Sequence, residues 1–211
     1  MRRVAVDPDA PQRDAIEEAA KWILAGGIVA IPTDTLYGLA VDPYNADAVR
    51  RLFDVKGRPS ERGVPLIAAD AAQVASGMIA LSALALRLAE RFWPGPLTVV
   101  VPAPPALAAA VTGGTGTIAI RVPADEVARR ICRMAGRPIT ATSANISGAA
   151  ATPDPDEVER TLGDRIDLLI DTGNTRGGPP STIVDATSAE PRLVRAGAVP
   201  WDEIEQCLQR G

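Results

Sequence analysis

A few polar residues carry whatever chemistry this chain performs, and their spacing groups them. Lys56 and Arg58 flank a glycine, and Ser143 and Asn145 flank an alanine. Thr33, Asp34, Thr35 and Tyr37 follow Pro32, where an apolar run ends, and Thr117, Arg121, Ser181 and Arg195 stand further along. Two cations held on one glycine turn ahead of Pro59, beside hydroxyl and amide donors, suit a multiply charged anion. Each signal also has a plainer explanation. Thr33 and Asp34 fit ordinary turn hydrogen bonds, Ser143 and Asn145 fit caps, and a lysine at a helix C-terminus complements the helix dipole.

Composition narrows the chemistry. The chain has 211 residues and no histidine, which removes Ser-His-Asp and Cys-His catalysis, histidine metal sites and the usual neutral-pH base. Of 22 basic residues only two, Lys21 and Lys56, are lysines. A chain that chooses arginine so heavily makes Lys56 stand out as a compact point charge. The net charge of −4 argues against a basic nucleic-acid footprint on the chain as a whole. Cys132 and Cys207 fall in predicted helices and read as free thiols in a reducing cytosol. No apolar run nears the ~18 residues of a membrane span, and the N-terminus lacks an export signal, so a cytoplasmic protein is expected.

The elements that must position these residues follow from periodicity. Residues 13–25 form an amphipathic helix ended by Gly26-Gly27, and residues 28–31 form a strand buried on both faces. Asn45 caps a helix reaching Lys56, which phases Lys56 with Val49 and Leu52 toward the interior edge. In the strand 117–122, Arg121 shares a face with Ala119, so its charge must meet water, a carboxylate or a ligand. Asp154, Pro155 and Glu157 mark another helix start. Residues 139–142, 168–170, 181–185 and 192–195 read as strands, the last two as a pair. Residues 60–64 read as a mobile loop. The irregular mix of elements predicts one domain over residues 1–211, an α/β fold with a twisted, mixed, open sheet and packed helices. The polar residues cluster at strand ends, so the ligand is expected there. No P-loop or G-x-S-x-G sequence exists, and no carboxylates have metal-ligand spacing.

Seven blocks in order resemble the YrdC/TsaC family, the threonylcarbamoyl-AMP synthases. They are Pro-Thr-Asp-Thr-Leu-Tyr-Gly-Leu at 32–39, Lys-Gly-Arg-Pro at 56–59, Phe-Trp-Pro-Gly-Pro-Leu-Thr at 92–98 and Ile-Ala-Ile-Arg-Val-Pro at 118–123. Thr-Ser-Ala-Asn-Ile-Ser-Gly at 142–148, Pro-Ser-Thr-Ile-Val-Asp at 180–185 and Val-Arg-Ala-Gly at 194–197 complete the set. The chain looks like the family's short form, without an extra C-terminal domain. The resemblance implies a YrdC-like fold and a nucleotidyl transfer in which L-threonine, bicarbonate and ATP with Mg2+ give threonylcarbamoyl-AMP and pyrophosphate. It implies Lys56 and Arg58 as catalytic cations. Thr35, Arg121, Ser143 and Ser181 resemble threonine contacts. Lys56, Arg58, Thr117, Asn145 and Arg195 resemble nucleotide contacts, and Tyr37 helps to close the pocket. No protein metal site is implied, since Mg2+ would ride on the phosphates. The product would pass to the complex that makes t6A at tRNA position 37, with at most a weak tRNA contact and no membrane. A histidine found near the threonine pocket in many relatives falls, after an insertion, at Ala69.

Two other functions compete. One is the carbamoyl-adenylate-forming domain of hydrogenase-maturation carbamoyltransferases, and the other is a double-stranded RNA or tRNA-binding module. The missing histidine separates the first expectation from ordinary base catalysis, because positioning and electrostatics would then carry the step. The rate is expected to be flat in pH between the carboxylate and lysine ranges. A pH–rate profile with a sharp inflection near neutrality would contradict this.

Overall fold

The computed structural model describes residues 1–57, 63–77 and 79–209. Arg58, and residues 60–62 of the predicted loop, lie outside the described residues. Strands β1 (Arg2–Ala5), β2 (Val29–Ile31), β3 (Gly38–Ala40), β8 (Thr142–Ser143) and β9 (Leu168–Asp171) form one sheet. Its order is β1-β9-β2-β3-β8, with β1, β9 and β2 parallel and the others antiparallel. A second sheet holds β4 (Leu66–Ile67), β5 (Leu97–Pro102), β6 (Thr117–Arg121), β7 (Ile139–Thr140), β10 (Thr182–Asp185) and β11 (Arg192–Arg195), in the order β11-β10-β5-β6-β4-β7. The α/β class and the mixed pairing are as the sequence predicts, and β10 and β11 do pair. The division into two sheets is the difference.

The cause of that division is visible at residues 139–143. The predicted single strand breaks at Ala141, whose N–H donates to the Pro65 carbonyl at 2.9 Å. Ahead of the break β7 pairs with β4, and beyond it β8 pairs with β3. One short stretch therefore belongs to both sheets. Thr140 is completely buried there and accepts the Val41 N–H on its hydroxyl at 2.8 Å. Strand β3 escaped the sequence because three residues beginning with a glycine show no alternation.

The helices are α1 (Arg13–Leu24), α2 (Ala46–Lys56), α3 (Ala71–Ser76), α4 (Ala83–Phe92), α5 (Ala109–Thr112), α6 (Glu126–Ala135), α7 (Pro155–Leu162) and α8 (Trp201–Gln209). Asn45 caps α2 as predicted, accepting from the Asp47 and Ala48 N–H groups, and Gly57 ends the helix in the left-handed region that favours glycine. The apolar run at β2 is buried on both faces because two cores meet across it. Val29 and Ile31 pack with α1 and α6, through Ile16, Ala20, Ile23, Val127 and Ile131. Ala30 faces the larger core, which joins α2 and α4 to the hidden face of β5 and β6.

Tyr37 lines the cavity wall and also ties the fold together. Its ring is completely buried, and its hydroxyl donates to the Gly173 carbonyl at 2.8 Å while accepting the Thr172 N–H at 3.1 Å. Burial raises its pKa above the ordinary phenol value. Replacing it by phenylalanine leaves a buried donor and acceptor without partners. A loss of about 1–3 kcal/mol is expected from urea denaturation, at an unchanged slope.

Candidate active site

The strands of the second sheet alternate, and that alternation builds the site. Leu97, Val99, Ile118, Ile120 and Val184 are buried on the covered face. Thr98, Val100, Thr117, Ala119, Arg121 and Ile183 line a cavity of about 590 Å³ on the other. The pairing registers, with Val100 opposite Ala119 and Ile183 opposite Thr98, make these residues one continuous floor. The walls come from elsewhere: residues 33–38 and 141–143 from the first sheet, residues 63–65, α5, residues 180–181 and β11. The cavity thus lies across a sheet face and not beyond strand ends, because a second sheet and its loops cover part of that face.

Most of the predicted contact residues meet here. Thr35, Thr117, Arg121, Ser143, Ser181 and Arg195 all line the cavity. Lys56 and Asn145 are outside the lining. The Lys56 side chain is buried, and its ammonium donates to the Ser143 carbonyl at 2.6 Å, the Asn145 carbonyl at 3.0 Å and Asn145 Oδ1 at 3.1 Å. Helix phasing therefore directs Lys56 inward as predicted, onto the turn that carries Ser143. Ser143 donates to Asn145 Oδ1 at 2.6 Å, and the Asn145 amide donates to the Ala149 carbonyl at 2.6 Å. The Ser147 N–H donates to the Lys56 carbonyl at 2.9 Å. The Lys56, Ser143 and Asn145 signature is a single hydrogen-bonded unit.

Arg121 ends the floor and is held by Asp34, with Nη1 2.8 Å from Oδ1 and both side chains about 10% exposed. Desolvation lowers the Arg121 pKa from its ordinary value, and the Asp34 charge opposes that shift. Asp125, which caps α6 through the Ala128 N–H, adds a second nearby acid whose own pKa burial raises. Arg195 donates from Nη2 to the Ser181 carbonyl at 2.7 Å and to Ser181 Oγ at 3.2 Å. Burial lowers the Arg195 pKa, and repulsion from Arg121 adds to this. Two guanidinium groups thus feel each other at the cavity, the arrangement that favours an anion between them.

On the opposite wall Thr33 Oγ1 donates to the Leu36 carbonyl at 2.7 Å and accepts the Thr35 N–H at 3.2 Å. The Thr35 carbonyl accepts from the Thr175 hydroxyl at 2.8 Å. Ala69 is no pocket wall. It is 1% exposed, packs in the α1–α6 core, and its N–H donates to Gln73 Oε1 at 2.8 Å. Two contributors went unread in the sequence. Thr98 faces the cavity by the same alternation that placed Arg121, which could have found it. The partnership of Asp34 with Arg121 spans 87 positions and left no local signal.

A family model named Sua5/yciO/yrdC, described as telomere recombination, matches residues 21–197. The chain belongs to this family. The threonylcarbamoyl-AMP synthase of Pyrococcus abyssi is 39% identical over 201 residues, covering 93% of this chain and 59% of that protein. The threonylcarbamoyl-AMP synthase of Vibrio vulnificus is 36% identical over 184 residues, covering 86% of this chain and 98% of that one. The structure of P. abyssi Sua5 complexed with L-threonine superposes with a TM-score of 0.93 at 37% identity, over 99% of this chain and 61% of that chain. The chain therefore spans about three fifths of the Pyrococcus protein and nearly all of the Vibrio one.

Removing Asp34 leaves a desolvated guanidinium without its partner. Asp34→Ala is expected to lower stability by about 3 kcal/mol, the low end for a broken buried pair because the cavity lets Arg121 be hydrated. Gly197 offers a second check: a Cβ there would lie 2.3 Å from the Pro180 carbonyl oxygen and 2.5 Å from the Ser181 carbonyl carbon. Gly197→Ala should displace Ser181 and weaken anion binding to the cavity, read by calorimetric titration.

Proposed function

We propose that this chain is a threonylcarbamoyl-AMP synthase, a nucleotidyltransferase built on one YrdC-like domain of residues 1–211. L-threonine and bicarbonate would give N-carboxy-threonine. Its carbamate oxygen would attack the α-phosphorus of ATP and expel pyrophosphate. The observation that carries this is the gathering of Thr35, Thr117, Arg121, Ser143, Ser181 and Arg195 from separate blocks onto one cavity. The relatives named threonylcarbamoyl-AMP synthase support it.

The reaction brings anion against anion, so its barrier is electrostatic. On the threonine side Arg121, pre-oriented by Asp34, offers its fork to the substrate carboxylate, while Thr35, Ser143 and Ser181 supply hydroxyls. On the nucleotide side Arg195 and Thr117 meet the phosphates and nucleoside. Arg58, two residues beyond Lys56, would add charge to the departing pyrophosphate. Lys56 and Asn145 act through the Ser143 turn that they hold, and Lys56 places its positive charge beneath it. Among the described residues no three His, Cys, Asp or Glu side chains form a metal cage, and Asp34 is engaged by Arg121. Mg2+ would enter as part of the MgATP substrate. No helix among the described residues is long and apolar enough to cross a membrane. The product would be handed to the t6A-forming complex in the cytoplasm, with at most a weak tRNA contact.

The test is pyrophosphate release from ATP with labelled bicarbonate and L-threonine. Release should require threonine and fall at least tenfold in Arg121→Ala. Threonine-independent release would sink the proposal. Salt-sensitive tRNA binding without turnover would favour the RNA-binding alternative.

A further inference from the structure

Thr98 sits in the cavity floor with 3% exposure, and its hydroxyl lies 2.8 Å from Ser181 Oγ. No other partner of the Thr98 hydroxyl exists among the described residues. The two directions of the bond are not equal, because Thr98 is nearly buried and Ser181 is only partly so. If Ser181 donated to Thr98, the Thr98 proton would be buried without an acceptor, which costs the desolvation of a hydroxyl. If Thr98 donates to Ser181, the buried proton has its acceptor, and the more exposed Ser181 hydroxyl turns its own proton to the cavity. Ser181 Oγ then accepts twice, from Thr98 and from Arg195 Nη2 at 3.2 Å, and both of its lone-pair positions are used. What Ser181 has left is its own proton.

The Thr33–Thr35 pair runs the other way. The Thr33 proton goes to the Leu36 carbonyl, so the 3.1 Å contact between the two hydroxyls requires Thr35 to donate. Thr35 then keeps its lone pairs for the cavity. The two cavity hydroxyls thus differ in polarity although both are simple alcohols.

We propose that Thr98 is a positioning residue that commits Ser181 to donate its hydroxyl proton into the cavity, so that the group facing Ser181 is a hydrogen-bond acceptor. The inference rests on the reading of Ser181 as a threonine contact, and there the acceptor is a carboxylate oxygen. An ammonium, which has donors only, is refused at Ser181 and admitted at Thr35. An α-amino acid can then lie one way round only.

Thr98→Val keeps the shape and removes the donor, while Thr98→Ser keeps the donor and removes a methyl group. In pyrophosphate release by the full chain, Thr98→Val should raise the KM for threonine about tenfold and leave the KM for ATP within twofold. Thr98→Ser should bring the threonine KM back near wild type. A purely structural role would instead lower the melting temperature or raise both KM values together. An unchanged threonine KM in Thr98→Val, an equal rise in both KM values, or a Thr98→Ser variant as impaired as Thr98→Val overturns the inference and leaves the proposed function standing. A wild-type protein that turns over ATP without needing threonine overturns both.

Discussion

The Asp34–Arg121 ion pair ties the two sheets together at the cavity. Arg121 ends β6 of the second sheet, and Asp34 lies in the loop between β2 and β3 of the first. At 2.8 Å and with little exposure, the pair is strong in Coulomb terms but costly in desolvation, so its worth is geometric more than energetic. It holds a guanidinium at the edge of a floor made of small residues. Everything that could recognise an anion is arranged around that charge: Arg195 across the cavity, the Ser143 turn on one wall and the Thr35 loop beside it.

The supports behind the cavity follow the same logic of spending polar groups on position. Lys56 hydrogen-bonds three oxygens of the Ser143–Asn145 turn, Tyr37 holds the 172–173 loop, and Thr98 holds Ser181. Each is a buried polar side chain that joins segments far apart in the chain. Such groups are expensive to bury unless satisfied, and here they are satisfied by backbone or by a single side chain. The walls can therefore consist of loops and still keep a defined shape.

Arg121 and Arg195 both line the cavity, and the repulsion that Arg195 feels from Arg121 is only partial, since Asp34 pairs with Arg121. A ligand with acidic groups relieves it, and a neutral one does not.

The sequence by itself determined most of the helices and the Asn45 and Asp154 caps, the double-sided burial of residues 29–31, the absence of histidine chemistry and the residue blocks of the site. These are local or compositional facts: a 3.6 period, a cap three residues from its N–H donor, a strand that alternates. Inward phasing of Lys56 and the cavity-facing side of Arg121 were legible for the same reason. Only the tertiary structure decided that the sheet divides at Ala141, that the site spreads over a sheet face, and that Ala69 belongs to the core. It alone showed what Lys56, Tyr37, Asp34 and Thr98 touch. Each of those partnerships closes a loop of roughly ninety residues or more, apart from Thr98 with Ser181 at 83 positions. Pairing across such distances is set by the packing of two cores against one shared strand, and no period in the chain encodes it.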